Sequence, residues 1–160
     1  MREVSQRYTE AALKKLGADI IYNDAVTAYD GQTITLKSGA TLAAKSLIWT
    51  AGVTAVKLAG IPESCYGRGN RLRVDRQLRV QGLENVYAVG DCALVEGDPD
   101  YPNGHPQLGQ VAKAQGKYLG KYFGREGKPF TYKHKGDMAM IGRLSAVADL
   151  PNLTDRKSVV

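Results

Sequence analysis

The run Asn85-Val86-Tyr87-Ala88-Val89-Gly90-Asp91-Cys92-Ala93 constrains the fold of this chain more than any other stretch. Strand-forming and small apolar residues lead straight into a Gly-Asp pair, the pattern of a buried parallel strand that ends at a ligand. In open α/β sheets, ligands sit in the crevice beyond the carboxyl ends of the strands. Gly90 permits close approach of the backbone, and Asp91 offers a carboxylate to sugar-like hydroxyls. A strand ending in an ordinary Gly-Asp turn reads the same way in isolation. The rest of the chain has to separate the two.

With 160 residues the chain can bury a core as one domain or two small pieces. Its 43% hydrophobic and 24% charged residues are ordinary globular composition. No run of about 18 apolar residues is present, so no membrane span is expected. The start, Met1-Arg2-Glu3-Val4-Ser5, lacks the apolar stretch of a signal peptide. Cys65 and Cys92 form no CxxC, so neither a metal site nor a redox dithiol is expected within the chain. Both are expected as small buried or half-buried thiols, compatible with a reducing cytoplasm.

The net charge of +6 gathers in Arg68, Arg71, Arg73, Arg76 and Arg79 and in Lys113, Lys117 and Lys121. No aromatic residue interleaves with the arginines and only Tyr118 falls among the lysines, so nucleic acid is not an expected partner. A solvated basic face is the default, and attraction to anionic lipid or to an anionic cofactor is the functional alternative.

Residues 5–16 are expected to form a helix capped by Ser5 and stopped by Gly17, with Tyr8, Ala11, Ala12 and Leu16 on one face. Strands are expected at Asp19–Tyr22, Thr33–Leu36 and Ser46–Trp49, with turns at Asp30-Gly31 and Ser38-Gly39, which makes a β-meander. In Trp49-Thr50-Ala51-Gly52-Val53 an apolar strand passes into small residues without a polar loop. That suits close approach of a ligand or second backbone, and equally a tight turn chosen for packing. A strand pair is expected from Arg71 to Val80 and a parallel strand over Asn85–Val89. A loop rich in Gly, Asp and Pro follows from Leu94 to Pro106.

A helix is expected from Gln107 to Phe123. Leu108, Val111, Ala112, Gln115, Leu119 and Tyr122 fall near one stripe, and Lys113, Lys117 and Lys121 lie on the other face. Its N-terminus carries partial positive charge and free N–H groups that suit an anionic ring edge. Gly109 leaves room for a ring, and Gln110 adds a two-way amide. An amphipathic core helix with a weakening glycine explains the same residues. Phe130–Tyr132 is expected as a strand, and Gly136–Gly142 is a glycine-punctuated apolar strand preceded by Lys135. His134 is expected to be a surface residue rather than a proton carrier.

Five elements occur in one order. They are Trp49–Val53; Arg73-Val74-Asp75 with Leu78-Arg79-Val80; Val86–Ala93; Gly109-Gln110-Val111-Ala112 with Gln115-Gly116; and Gly136–Gly142. Together they resemble the C-terminal half of the type II (non-proton-pumping) NADH dehydrogenases, and the resemblance covers residues 1 to about 150. Val86–Ala93 is similar to the second flavin-binding signature of flavoproteins with two dinucleotide-binding domains.

The resemblance implies an α/β fold: part of a two-dinucleotide-binding-domain (FAD/NAD(P)-binding, Rossmann-like) flavoprotein with a β-meander. It implies FAD as cofactor, NADH as substrate, a quinone as electron acceptor, and a peripheral position on the cytoplasmic face of the inner or plasma membrane. A homodimer is the assembly it suggests. Residues 1–49 would end an inserted NADH-binding domain, and residues 50–150 would belong to the FAD-binding domain. Gly52 would lie at the crossing, and Gly90 and Asp91 would meet the ribitol or adjoining phosphate. Leu108 and Gly109 would meet the isoalloxazine ring, Lys135 its edge and the quinone pocket, and Gln110 the quinone pocket. The family usually carries alanine where this chain has Gly109. No catalytic acid or base is assigned.

Neither GxGxxG fingerprint of such a protein is present, so both pyrophosphate sites are expected upstream of Met1, and the isolated chain is expected to be inactive. Another FAD-dependent pyridine nucleotide enzyme, such as a disulfide reductase or sulfide:quinone oxidoreductase, is the nearest alternative. A non-catalytic α/β interaction module is the other. Residues 155–160, Asp-Arg-Lys-Ser-Val-Val, match the translation of a common sequencing-adapter oligonucleotide and are expected to be non-native.

Overall fold

The computed structural model describes residues 2–143, 145–150 and 153–158. The chain divides into two compact units, residues 1–50 with 134–160, and residues 51–133.

In the first unit, helix α1 spans Glu3–Lys15 and begins two residues before the expected Ser5 cap. Ser5 is instead a buried helical residue, and its Oγ donates to Asp149. The helix ends at Leu16 in a Schellman closure, with Gly17 N–H donating to Lys14 C=O and Ala18 N–H to Leu13 C=O. Strands β1 (Val26–Tyr29), β2 (Thr33–Leu36) and β3 (Thr41–Ala43) form an antiparallel meander. Asp30 makes the β1–β2 turn by accepting the Gln32 and Thr33 N–H groups.

The meander is therefore real, but two of its expected strands are misplaced. Asp19–Tyr22 and Ser46–Trp49 are irregular, with Ile48 and Trp49 exposed. Apolar content alone does not make a strand. Each needs a neighbour to pair its N–H and C=O groups, and among the described residues β2 has that neighbour while these segments do not.

After the second unit, β6 (Asp137–Gly142) and β7 (Ser145–Leu150) pair as an antiparallel hairpin, and β8 (Leu153–Ser158) pairs with β7. Val159 and Val160, at the end of the expected non-native tail, lie outside the described residues. Helix α1 packs on β7 and β6, and is tied to β7 by the Ser5–Asp149 bond and a Tyr8 Oη to Ser145 Oγ bond of 3.0 Å.

In the second unit, β4 (Leu72–Val74) runs parallel to β5 (Ala93–Val95), and helix α2 spans Gly109–Tyr122. Leu72, Val74, Leu78, Val80, Ala93, Val95 and Val111 are buried together with Phe130 and Tyr132. The expected parallel strand is displaced. Asn85–Val89 makes only a bridge between Tyr87 and Arg79, whereas the parallel partner of β4 follows the Gly-Asp pair. Likewise, Arg71–Val80 is a short strand returning through one Val74–Val80 bridge, and Asp75 Oδ1 accepts the Gln77 and Arg79 N–H groups in the turn. Phe130–Tyr132 is not a strand; its two rings enter the core from irregular chain.

Candidate functional site

The Gly-Asp pair folds into a single 3-10 turn, Gly90–Cys92, packed on α2. Gly90 adopts φ 75°, a conformation that favours glycine, and a Cβ there would stand 3.4 Å from Ala112 Cβ. The turn thus packs on the helix, and its left-handed backbone rather than a lack of space selects glycine. Its Gly90 N–H donates to Gln115 Oε1 at 2.6 Å. Gln107 Nε2, from the segment entering α2, donates to the Asp91 carbonyl at 2.9 Å. Two glutamines therefore hold the turn from either end of the first helical turns.

The Asp91 side chain is exposed and makes no hydrogen bond or ion pair among the described residues. A carboxylate held by its backbone yet free at its oxygens is ready to accept bonds from ligand hydroxyls. Leu108 is the N-cap of α2, half-buried against the core, and Gly109 opens the helix with empty space where a side chain would be. The helix starts two residues later than expected, which frees Gln107 for the turn. Gln110 follows in the first turn, half-buried. The N-terminal partial charge of α2 and the Asp91 turn thus belong to one side-by-side arrangement.

Behind the turn lies Arg71, 4% exposed. Its Nε and Nη2 donate to the Ala93 carbonyl, and Nη2 also donates to the His105 carbonyl at 2.9 Å. Burial and the neighbouring Arg68 charge lower its pKa, and the Asp91 carboxylate draws it back up. The guanidinium remains charged. This corrects the expectation of a solvated basic face at one position: Arg71 is a structural cation inside the unit.

His105 is buried as well, and its Nε2 lies 2.9 Å from Asp98 Oδ2. Burial opposes ionisation of Asp98, but the His105 bond, the Asp100 N–H and the charge of Arg76 outweigh it and hold the carboxyl below its ordinary value. Asp98 is thus the acceptor, and His105 donates through Nε2. Tyr101, Phe130 and Tyr132 surround the imidazole at centroid distances of 4.8, 5.4 and 5.9 Å. This cluster fixes the long loop that enters α2.

Of the residues predicted from sequence, Gly90, Asp91, Leu108, Gly109 and Gln110 are gathered by the turn and the start of α2. Gly52 is exposed in irregular chain at the start of the same unit, with φ 111°. Lys135 belongs to the other unit, where it is exposed just before Gly136. His134 Nε2 lies 3.1 Å from Asp137 Oδ1 on the surface. Cys65 is buried as expected, but Cys92 is exposed, because the 3-10 turn points it outward while its Sγ donates to Val89 C=O.

The first unit also has an open groove of about 580 Å³ between α1 and β6–β7, lined by Tyr8, Leu16, Ile141 and Arg143 among others. It contains none of the predicted site residues. Among the described residues no three His, Cys, Asp or Glu side chains converge on a metal site. No described helix is long and apolar enough to cross a membrane.

Sequence reasoning missed Gln107, Gln115, Arg71, His105 and Asp98 as parts of the scaffold. Gln115 carried a signal, a polar residue on the apolar stripe of its helix.

A family profile described as pyridine nucleotide-disulphide oxidoreductase matches residues 1–116. The chain is 36% identical to the type II NADH:quinone oxidoreductase NdhA of Mycobacterium tuberculosis, over 88% of this chain and 32% of that protein. It is 29% identical to the internal alternative NAD(P)H-ubiquinone oxidoreductase A1 of Arabidopsis thaliana mitochondria, over 96% of this chain and 33% of that protein. The chain therefore spans about a third of the length of these relatives. Its fold matches that of NDH2 from Plasmodium falciparum solved with NADH, with a TM-score of 0.78 at 20% identity, over 98% of this chain and 48% of that one.

Proposed function

We propose, for a chain that belongs to the pyridine nucleotide-disulphide oxidoreductase family, that it forms the C-terminal part of an FAD-dependent NADH:quinone oxidoreductase. The observation that carries this reading is the Asp91 turn: an exposed carboxylate with no hydrogen bond or ion pair among the described residues, pinned by its backbone against the start of α2. Those residues fit a flavin dinucleotide. A cofactor with a polyhydroxyl chain offers donors to Asp91, and the empty space at Gly109 suits a flat ring beside backbone. The names of the relatives supply the electron donor and acceptor.

Bound FAD supplies hydride acceptance from NADH and transfer of two electrons to a quinone. The chain's own residues bind and orient. Gly90 and Asp91 hold the ribitol or adjoining phosphate, and Leu108 and Gly109 line the ring. The partial positive charge of the first turn of α2 favours negative charge on a reduced ring. Gln110 serves the quinone pocket, and Gly52 lies where the chain returns to the FAD domain. In this reading residues 1–49 end the NADH domain, residues 50–150 belong to the FAD domain, and residues 155–160 are non-native. The whole protein works on the cytoplasmic face of a membrane, as a homodimer, and the chain alone is inactive.

The test is to express the full-length protein that contains this chain, measure its FAD content, and assay quinone reduction by NADH in lipid vesicles. Stoichiometric FAD with quinone reduction is expected. A flavin-free protein that reduces no quinone would overturn the reading.

A further inference from the structure

Gln115 occupies a position that apolar packing would fill better. Its side chain is 1% exposed, on the same helix face as the buried Val111. A leucine would fill similar volume without burying an amide, so a glutamine here costs stability unless its polar atoms hold something. What it holds is the Gly90 peptide, whose N–H donates to Oε1 across 25 positions of sequence. That bond fixes the amide orientation, because the reversed amide would set N–H against N–H. Nε2 is left buried with no partner among the described residues, so the residue bears the cost of an unmet donor to keep its acceptor on Gly90. Ala112, three positions earlier on the helix, faces the turn: a Cβ on Gly90 would stand 3.4 Å from its Cβ. The bond and this close packing together hold the turn against the helix.

We propose that Gln115 is a positioning residue for the flavin site: by clamping the Gly90 peptide to α2 it fixes the Asp91 carboxylate relative to the first turn of that helix. The inference rests on the flavin reading of the Asp91 turn. It does not make Gln115 touch the cofactor. Its contribution is preorganisation, since an unclamped turn must be ordered when the ligand binds.

The experiment uses the full-length protein stripped of flavin and titrated with FAD by fluorescence, as wild type, Gln115→Leu and Gln115→Glu, with a melting curve for each apoprotein. Gln115→Leu should weaken FAD binding about tenfold and speed flavin release, with KM for NADH unchanged. Gln115→Glu retains an acceptor for the Gly90 N–H and should bind FAD within about threefold of wild type. Wild-type FAD affinity in Gln115→Leu, with only a lower melting temperature, would overturn the proposal. If Gln115→Leu does not fold, Gln115→Glu decides alone, because a tenfold loss there would show that the acceptor is not what matters. Failure of the wild type to take up FAD would instead defeat the flavin reading itself.

Discussion

Arg71 Nη2 donates to the carbonyl of His105 at 2.9 Å, 34 positions away in sequence. The same guanidinium holds the Ala93 carbonyl, so one buried cation joins the strand after the Gly-Asp turn to the segment that enters α2. No carboxylate pairs with it directly among the described residues; its partners are backbone oxygens.

Arg71→Met should therefore destabilise the protein by about 2–4 kcal/mol, because it leaves two buried carbonyls unpaired. Arg71→Lys keeps the charge but loses the planar fork that reaches both oxygens, and should recover only part of the loss. Chemical denaturation of the full-length variants measures both.

A second prediction concerns Gly136, which turns the chain into β6 with φ 110°. A Cβ there would come 2.2 Å from the Asp149 carbonyl oxygen of β7. Backbone cannot move aside as a flexible side chain does. Gly136→Ala should cost at least about 2 kcal/mol. Hydrogen exchange should show lost protection across the β6–β7 ladder, Asp137–Asp149 and Met138–Ala148 included.

Asp98 gives a pH dependence with a definite sign. Its carboxyl titrates below its ordinary 3.8 when folded, held down by the His105 bond against the cost of burial. A depressed folded value contributes stability that is fully present above the unfolded value and is lost as pH falls through the folded one. Acid unfolding of the wild type should steepen below about pH 4. Asp98→Asn should be less stable at neutral pH and should show a shallower loss on acidification. Melting temperatures from pH 7 to pH 3 read this directly.

Local signals read well from the sequence where a single segment carried its own instruction. Gly17 stopped α1, Asp30 built the β1–β2 turn, and the apolar stripe of α2 ran nearly to its observed length. Strands were harder because pairing is not local. Ser46–Trp49 has the apolar content of a strand but no partner among the described residues, and the parallel ladder formed at Ala93–Val95 rather than at Asn85–Val89.

The site followed the same division. Asp91, Leu108, Gly109 and Gln110 lie in short motifs that single them out as candidates, and the fold gathers those motifs at the turn and the start of α2. Arg71, Asp98, His105 and Gln115 act through bonds spanning 7 to 34 positions, which spacing alone does not reveal. Arg71 sat within a run of arginines that reads as solvated surface, and only the fold takes it inside.

Whether the Asp91 turn holds a flavin is decided by the FAD content of the full-length protein. Wild type should purify with one FAD per chain by absorbance after denaturation. Asp91→Ala should lose most of it, because nothing else at the turn replaces the carboxylate, while its apoprotein should melt near the wild-type apoprotein. Full FAD content in Asp91→Ala, with unchanged affinity on titration, would contradict the account.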